Sequence, residues 1–334
     1  FQVAAARNGV EGVQRLTEWE PDVVTLDINM PEMDGLTARA LIMSARPTPV
    51  VMVSSLTEKG ALATFEALAL GAVDFIPKPG GTISLHVDDI KAMLLDKVRS
   101  ASRAKVGAQN GGRKTHAARP QAKPAPGPVV APPRIGSAPL ERASLPGLVL
   151  IGVSTGGPRT LEDILPRLPA NFPWPVLVAQ HMPANFTETF ARRIDGLCAL
   201  KVVEVATPMP LLPGHVYIGR GGTDITVTDR AGVLHAAPRP EAPAVLWHPS
   251  VEVMVDSAMK HLPPNRLVGV MLTGMGNDGA VAMARLHAAG GKTIAESADT
   301  AVVFGMPHEL IELGGASLVL PCNNIAAQLR HWLQ

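Results

Sequence analysis

The stretch LVLIGVSTGGPRTLEDILPRL, residues 148–168, decides the fold. The residues leading into Ser154 are apolar or β-prone without a break, as in a strand buried on both faces. Gly152 and Gly156 bracket Ser154, and Pro158 suits the first turn of the helical pattern that follows. A strand turning sharply into a helix is the local unit of a parallel α/β domain. Such a turn either presents Ser154 as a nucleophile or tolerates it as a small residue. The pattern G-x-S-x-G alone does not separate the two.

Downstream the same alternation continues. Strand candidates are LVLIGV, WPVLVAQ, KVVEV, HVYIG, DITVTD, LVGVMLTG, KTIAES and ASLVL, and helical patterns fall at 159–168, 187–195, 250–261, 279–289 and 323–333. They predict a doubly wound, Rossmann-like parallel sheet with a small antiparallel excursion around 213–236. Upstream, DVVTLDI (22–28) and TPVVMVSS (48–55) read as buried parallel strands. GLTARALIMSA and GALATFEALALGA read as helices between them, with DDIKAMLLDKVRSA as a closing helix. From about Lys97 to Gly147 the chain turns rich in Pro, Ala, Gly, Lys and Arg, a composition too poor in apolar surface to order itself. The expected organisation is α/β throughout. A first domain covers 1–96, a flexible basic linker 97–146, and a second domain 147–334.

Composition narrows the function. Thirty Lys plus Arg against 29 Asp plus Glu leave a net charge of +1, which gives no reason to expect nucleic acid as a partner. The two cysteines, Cys198 and Cys322, fall in no metal or redox spacing. No apolar run approaches the roughly 18 residues of a membrane span, and no signal peptide opens the chain. The expectation is a cytoplasmic protein.

In the first domain the sharpest feature is LDINMPEMDG. Asp27 follows a buried strand, Ser54 ends VVMVS, and Lys78 follows VDFIP, so three polar side chains stand at three strand ends. Open α/β sheets place their ligands at that edge. A carboxylate there can attack a phosphoryl group, a hydroxyl can donate to it, and an ammonium can neutralise it. The pattern resembles the receiver domain of two-component response regulators, a flavodoxin-like fold. The resemblance implies Asp27 as the phosphorylated residue, Ser54 as the hydroxyl switch and Lys78 as the receiver lysine. It also implies Mg²⁺ held by Asp27 and the backbone carbonyl of Asn29. The first strand and helix of that fold, which carry an acidic pair, are expected to be absent, leaving the metal site incomplete.

In the second domain Ser154 gains company. His181 closes VLVAQHMP and Asp278 lies in VMLTGMGNDGA, both just past predicted parallel strands. A hydroxyl, an imidazole base and a carboxylate that fixes its tautomer are the parts of nucleophilic catalysis. Taken singly, Ser154 reads as a turn residue, His181 as a strand-end cap and Asp278 as a turn or helix cap. His248, before Pro249, is a further candidate to line a pocket. The order Ser, His, Asp differs from that of α/β-hydrolases. What the domain resembles is the catalytic domain of chemotaxis protein-glutamate methylesterases, through IGVSTGGP, AQHMP, HPSVEVM, LTGMGNDGA and VVFGMP.

That resemblance implies a triad of Ser154, His181 and Asp278, the Met275 N–H as an oxyanion donor and Thr155 as a supporting contact. It implies demethylation of glutamyl methyl esters on cytoplasmic helices of chemoreceptors, and deamidation of glutamines there. The esterase needs no cofactor, the phosphodonor is the chemotaxis histidine kinase, and the enzyme is a monomer recruited to chemoreceptor arrays. Two other classes compete. A transcriptional response regulator would need a helix-turn-helix that 148–334 does not show. A nucleotide-binding domain would need a glycine where Ser154 stands.

Overall fold

The computed structural model describes residues 1–55, 57–78, 87–106, 145–241 and 245–333. Its first domain is built on β1 (Val24–Asp27), β2 (Val50–Ser54) and β3 (Asp74–Pro77), short parallel strands paired in that order. Around them lie α1 (Gly9–Trp19), α2 (Gly35–Ala45), α3 (Glu58–Ala69) and α4 (Val87–Ser102). α1 was outside the expected elements, although Asn8 marks its start by accepting from Glu11 N at 2.9 Å. Residues 1–6 join no sheet and are exposed.

α4 runs through Ser102, so the linker start expected at 97 lies inside a helix. The basic residues that read as linker are structural. Lys97 pairs with Asp74 at 2.7 Å, and Ser100 and Ala101 are buried. A basic residue in the last turn, here Arg99, also suits the helix dipole. The rest of the expected linker, 107–144, lies outside the described residues.

The second domain is larger. Its main strands are β4 (Leu148–Val153), β5 (Val176–Gln180), β6 (Lys201–Val205), β8 (His215–Gly219), β11 (Leu267–Met271), β12 (Lys292–Glu296) and β13 (Leu318–Leu320). They form one parallel sheet in the order β13-β12-β11-β4-β5-β8-β6. Helices α5 (Gly157–Ile164), α6 (Ala184–Asp195), α7 (Val251–Met259), α8 (Ala280–Ala288), α9 (Met306–Glu312) and α10 (Cys322–Leu333) connect and cover it. Every residue of β4 is buried, which accounts for its unbroken apolar run. The chain leaves β4 toward β5 on one side and returns to β11 on the other. The strand order therefore reverses between β4 and β11, and a doubly wound sheet has its crevice at that point.

The antiparallel excursion is real but differently bounded. HVYIG (β8) belongs to the main sheet, wedged between β5 and β6. The small sheet consists instead of β7 (Met209–Pro210), β10 (Val233–Pro240) and β9 (Thr223–Arg230), paired in that order. β10 carries Pro238 and Pro240, which argue against a strand in sequence. They fit because β10 pairs with β7 only at His235 and Ala236, so its outer edge is open beyond them.

The two domains share a core. Phe65 of α3 and Phe75 of β3 meet Phe186 and Phe190 of α6, with ring centroids 4.4 Å apart for Phe75–Phe186 and 5.3 Å for Phe65–Phe190. All four rings are almost fully buried. Aromatic contacts of this geometry add to the hydrophobic gain of closing the interface.

Candidate active site

β4 and β5 run in register with Val153 beside Gln180, so the next residues, Ser154 and His181, follow directly at neighbouring strand ends. His181 N donates to Val153 O at 3.1 Å, and Ser154 N donates across to Thr273 O at 3.0 Å. The serine turn is thus tied to both flanking strands. Gly274 makes this approach possible, because a Cβ there would stand 2.7 Å from Ser154 Cβ and 2.4 Å from Met306 Sδ. Gln180, buried at the end of β5, donates from Nε2 to the carbonyls of Ser154 (3.0 Å) and His181 (3.1 Å). Sequence reasoning passed over it.

His181 Nε2 stands 2.8 Å from Asp278 Oδ2, with both side chains nearly buried. Asp278 is anchored at the start of α7. It accepts from Val251 N (2.7 Å), Glu252 N (3.1 Å) and the hydroxyl of Ser250 (2.9 Å). Burial pulls its carboxyl upward, but the hydrogen bond and charge of His181 with the two backbone N–H groups outweigh this and hold it below its ordinary 3.8. An ionised carboxylate only accepts, which assigns the imidazole proton to Nε2. Nδ1 then carries the lone pair. It is buried and has no hydrogen-bond partner, on a residue at the strand end next to that of Ser154. That is the state a general base requires.

Two further groups surround the imidazole. Trp247 stacks on it with centroids 5.2 Å apart and planes 8° from parallel. His248 is paired instead with the buried Asp224 (2.9 Å), which also accepts from Ser250 N, so it supports the loop before α7. Trp247 gave no periodic signal in the sequence; its only hint was a rare tryptophan beside His-Pro.

Thr155 and Met275, expected as supporting groups, lie on the two loops that flank Ser154, and both touch the first domain. Thr155 Oγ1 donates to Asp74 Oδ2 at 2.6 Å, and Asp74 is also held by Lys97. Ser100 Oγ lies 2.7 Å from Met275 Sδ. The Met275 N–H donates to no group among the described residues, so it is available to a substrate oxygen.

At the edge of the first sheet, Lys78 Nζ stands 2.5 Å from Asp27 Oδ2, and Asn29 N donates to Asp27 Oδ1 at 3.1 Å. Ser54 is not brought to Asp27. It is buried, and its hydroxyl donates to the carbonyl of Gly60 at 3.1 Å. For a Mg²⁺ ion the described residues supply the Asp27 carboxylate and the Asn29 carbonyl, with no cluster of three acidic, His or Cys side chains among them. Mg²⁺ takes six oxygens in near-ideal octahedral geometry. A single carboxylate already engaged by a lysine does not fit it.

Comparison with known proteins agrees with this geometry. A family described as CheB methylesterase matches residues 149–329, and the response regulator receiver domain matches residues 1–88. The chain is 53% identical over 341 residues to protein-glutamate methylesterase/protein-glutamine glutaminase 3 of Rhodospirillum rubrum, aligning 100% of this chain and 90% of that one. It is 52% identical over 348 residues to protein-glutamate methylesterase/protein-glutamine glutaminase 2 of Rhodopseudomonas palustris, aligning 99% and 91%. The crystal structure of the Thermotoga maritima CheB methylesterase catalytic domain is similar with a TM-score of 0.53 and 38% identity, covering 55% of this chain and 97% of that one.

Proposed function

The chain belongs to the CheB methylesterase family, with a response regulator receiver domain ahead of its catalytic domain, and from that premise we propose that it hydrolyses γ-glutamyl methyl esters on chemoreceptor helices. Ser154 is the nucleophile, His181 the base and Asp278 the group that fixes the base. The observation that carries this is His181 itself: Nε2 is on Asp278 at 2.8 Å, and Nδ1 is buried and unpartnered on a residue at the strand end next to that of Ser154.

Ser154 Oγ attacks the ester carbonyl while His181 Nδ1 takes its proton. The oxygen that becomes negative is met by the Met275 N–H. Collapse of this intermediate breaks the C–O bond, and His181 returns the proton to methanol. A water then gives its proton to His181 and attacks the γ-glutamyl ester of Ser154; the bond to Ser154 Oγ breaks, His181 returns the proton to that oxygen, and the glutamate side chain is freed. With a glutamine side chain the same steps release ammonia, so deamidation follows from the same groups.

Control comes from the first domain. Asp74 holds Thr155, Ser100 meets Met275, and the phenylalanine cluster closes the interface beside the site. A receiver in this position hinders a bulky receptor helix without altering the triad. Phosphorylation of Asp27 by a chemotaxis histidine kinase adds charge against Lys78 and shifts the population toward an open arrangement. No described helix is long and apolar enough to cross a membrane; we place the enzyme in the cytoplasm at chemoreceptor arrays, acting as a monomer. The test is methanol release from methylated receptor segments, where Ser154→Ala and His181→Ala should each abolish turnover. Undiminished release by either would end this reading.

A further inference from the structure

Behind the catalytic serine, where α2 of the receiver approaches the start of α5, lies a cavity of about 80 Å³. Its charged lining is all of one sign: Arg39, Arg159 and Lys105, with no carboxylate among the described residues that form it. Arg39 is the unusual member. It is only 7% exposed, its Nε is sealed from solvent without a hydrogen-bond partner, and it makes no ion pair among the described residues. A guanidinium stays charged even when buried, and buried charges are ordinarily paired.

Gly71 shows where the missing partner would stand. A Cβ on this residue would lie 2.6 Å from Arg39 Nη2 and 3.3 Å from Arg159 Nη1. The guanidinium ends of Arg39 and Arg159 both lie close to this one position, which a side chain at Gly71 would crowd. Like charges this close repel. Burial, with the charge of Arg159 second, draws the Arg39 proton affinity down. Gly156 and Pro158, at the first turn of α5, line the same cavity and add the positive end of that helix. Lys105, at the rim, is committed to the carbonyl of Ala298 at 2.7 Å.

We propose that this cavity binds a small oxyanion of the phosphate class, bridging Arg39 of the receiver and Arg159 of the catalytic domain. Planar guanidinium groups match the oxygens of phosphate in pairs, which an ammonium does not. The volume admits inorganic phosphate but not a nucleotide or a peptide. Because the two arginines belong to different domains, the anion fastens the receiver against the catalytic domain. Its effect on turnover, slower hydrolysis of a receptor segment, rests on the hydrolase reading above; the binding itself does not.

The experiment is calorimetric titration of the full chain with inorganic phosphate, at ionic strength held constant with chloride, beside sulfate and acetate. One saturable site is expected for phosphate and sulfate and weaker binding for acetate. Arg39→Met and Arg159→Met should each weaken phosphate at least tenfold, while Arg39→Lys should retain part of it. Arg39→Met removes a buried cation that has no counter-ion, so it should fold as well as the parent. If it does not fold, Arg159→Met carries the same comparison. Absence of a saturable heat, or equal affinity in the folded methionine variants, overturns the site. Methanol release in the same samples should fall with phosphate in the parent but not in Arg39→Met. If phosphate binds and release is unchanged, the fastening role fails and the site stands. If no release occurs under any condition, the hydrolase reading fails while the heats remain interpretable.

Discussion

Replacing Asp278 by asparagine asks which property of the carboxylate His181 depends on. Oδ1 accepts from Ser250 Oγ and Glu252 N at 2.9 and 3.1 Å; Oδ2 accepts from Val251 N at 2.7 Å and meets His181 Nε2 at 2.8 Å. An amide offers one acceptor atom and one donor group, so its nitrogen must face one of these sets. At the Oδ2 place it would confront the Val251 N–H and force the imidazole proton onto Nδ1, where the base must be free. At the Oδ1 place it opposes only the Glu252 N–H, the longest of the contacts, and the Ser250 hydroxyl can turn to accept. The second orientation costs less, so the tautomer survives and the charge alone is lost.

The magnitude follows. Two unit charges about 4 Å apart interact by about 4 kcal/mol at the effective dielectric of partly buried sites. Losing that for the imidazolium of the transition state lowers kcat by about 10³. One orphaned N–H costs a further 1–3 kcal/mol, roughly, in stability rather than in rate. The assay is steady-state methanol release by the variant, with imidazole ¹⁵N shifts to report the tautomer and thermal unfolding to report the anchor. A loss in kcat of tenfold or less would show that His181 does not rely on Asp278. A proton found on Nδ1 would refute the orientation argument. The carboxyl of Asp278 is depressed, so its contribution to stability is complete above its unfolded value of 3.8 and is lost as pH falls through the lower folded value. Protonation of Asp278 therefore sets no limb of the pH–rate profile near neutrality.

Three other outcomes are expected. Trp247→Ala removes the ring stacked on His181; a cation over an aromatic face gains roughly 0.5–2 kcal/mol, so kcat should fall between about twofold and thirtyfold with KM unchanged, and a change in KM alone would make Trp247 a substrate contact. Removing residues 1–144 should speed hydrolysis of a receptor segment but leave a small ester nearly unaffected; equal acceleration of both would mean the receiver acts on the triad and not on access. Glu296, fully buried and accepting from Thr273 N and Thr300 Oγ1, is pushed up from 4.5 to about 7 by burial. A carboxyl raised in the folded state loses stability as pH rises from its unfolded value to its folded one. Glu296→Gln should thus match the parent near pH 5, by about the unfolded carboxylate's titration range, and gain about 3 kcal/mol in thermal or denaturant unfolding at alkaline pH. A gain that is the same at both pH values would show that Glu296 is not titrating there.

Ser154, His181 and Asp278 could be singled out as a candidate triad because parallel strands deliver their carboxyl ends to one edge, and each of the three follows such a strand. The run LVLIGV and the strand ends at His181 and Thr273 are local signals of that kind, readable one segment at a time. Most of what surrounds the triad is not local. Gln180 acts through the carbonyls of Ser154 and His181, and Trp247 reaches His181 from a loop 66 positions further along the chain. The charge run from Lys97 misread the end of α4 because composition does not reveal that Lys97 has a carboxylate waiting on β3. Ser54 stands at the expected strand end, yet its hydroxyl turns to Gly60, a choice made by the neighbouring helix turn.

Least visible in sequence is the double duty of β3. The residue after its last, Lys78, holds Asp27, the proposed phosphoacceptor, and its first residue, Asp74, holds Thr155 beside Ser154. Four residue steps separate these two side chains, about 13 Å of extended backbone. β3 is buried throughout and laddered to β2, so it bends little without breaking that ladder. A charge added at Asp27 must be accommodated by Lys78, and the strand that carries Lys78 begins at the contact with Thr155. The receiver therefore needs no long relay to reach the catalytic loop. Its own β3 spans the distance, and Asp74 and Phe75 on that strand both meet the catalytic domain.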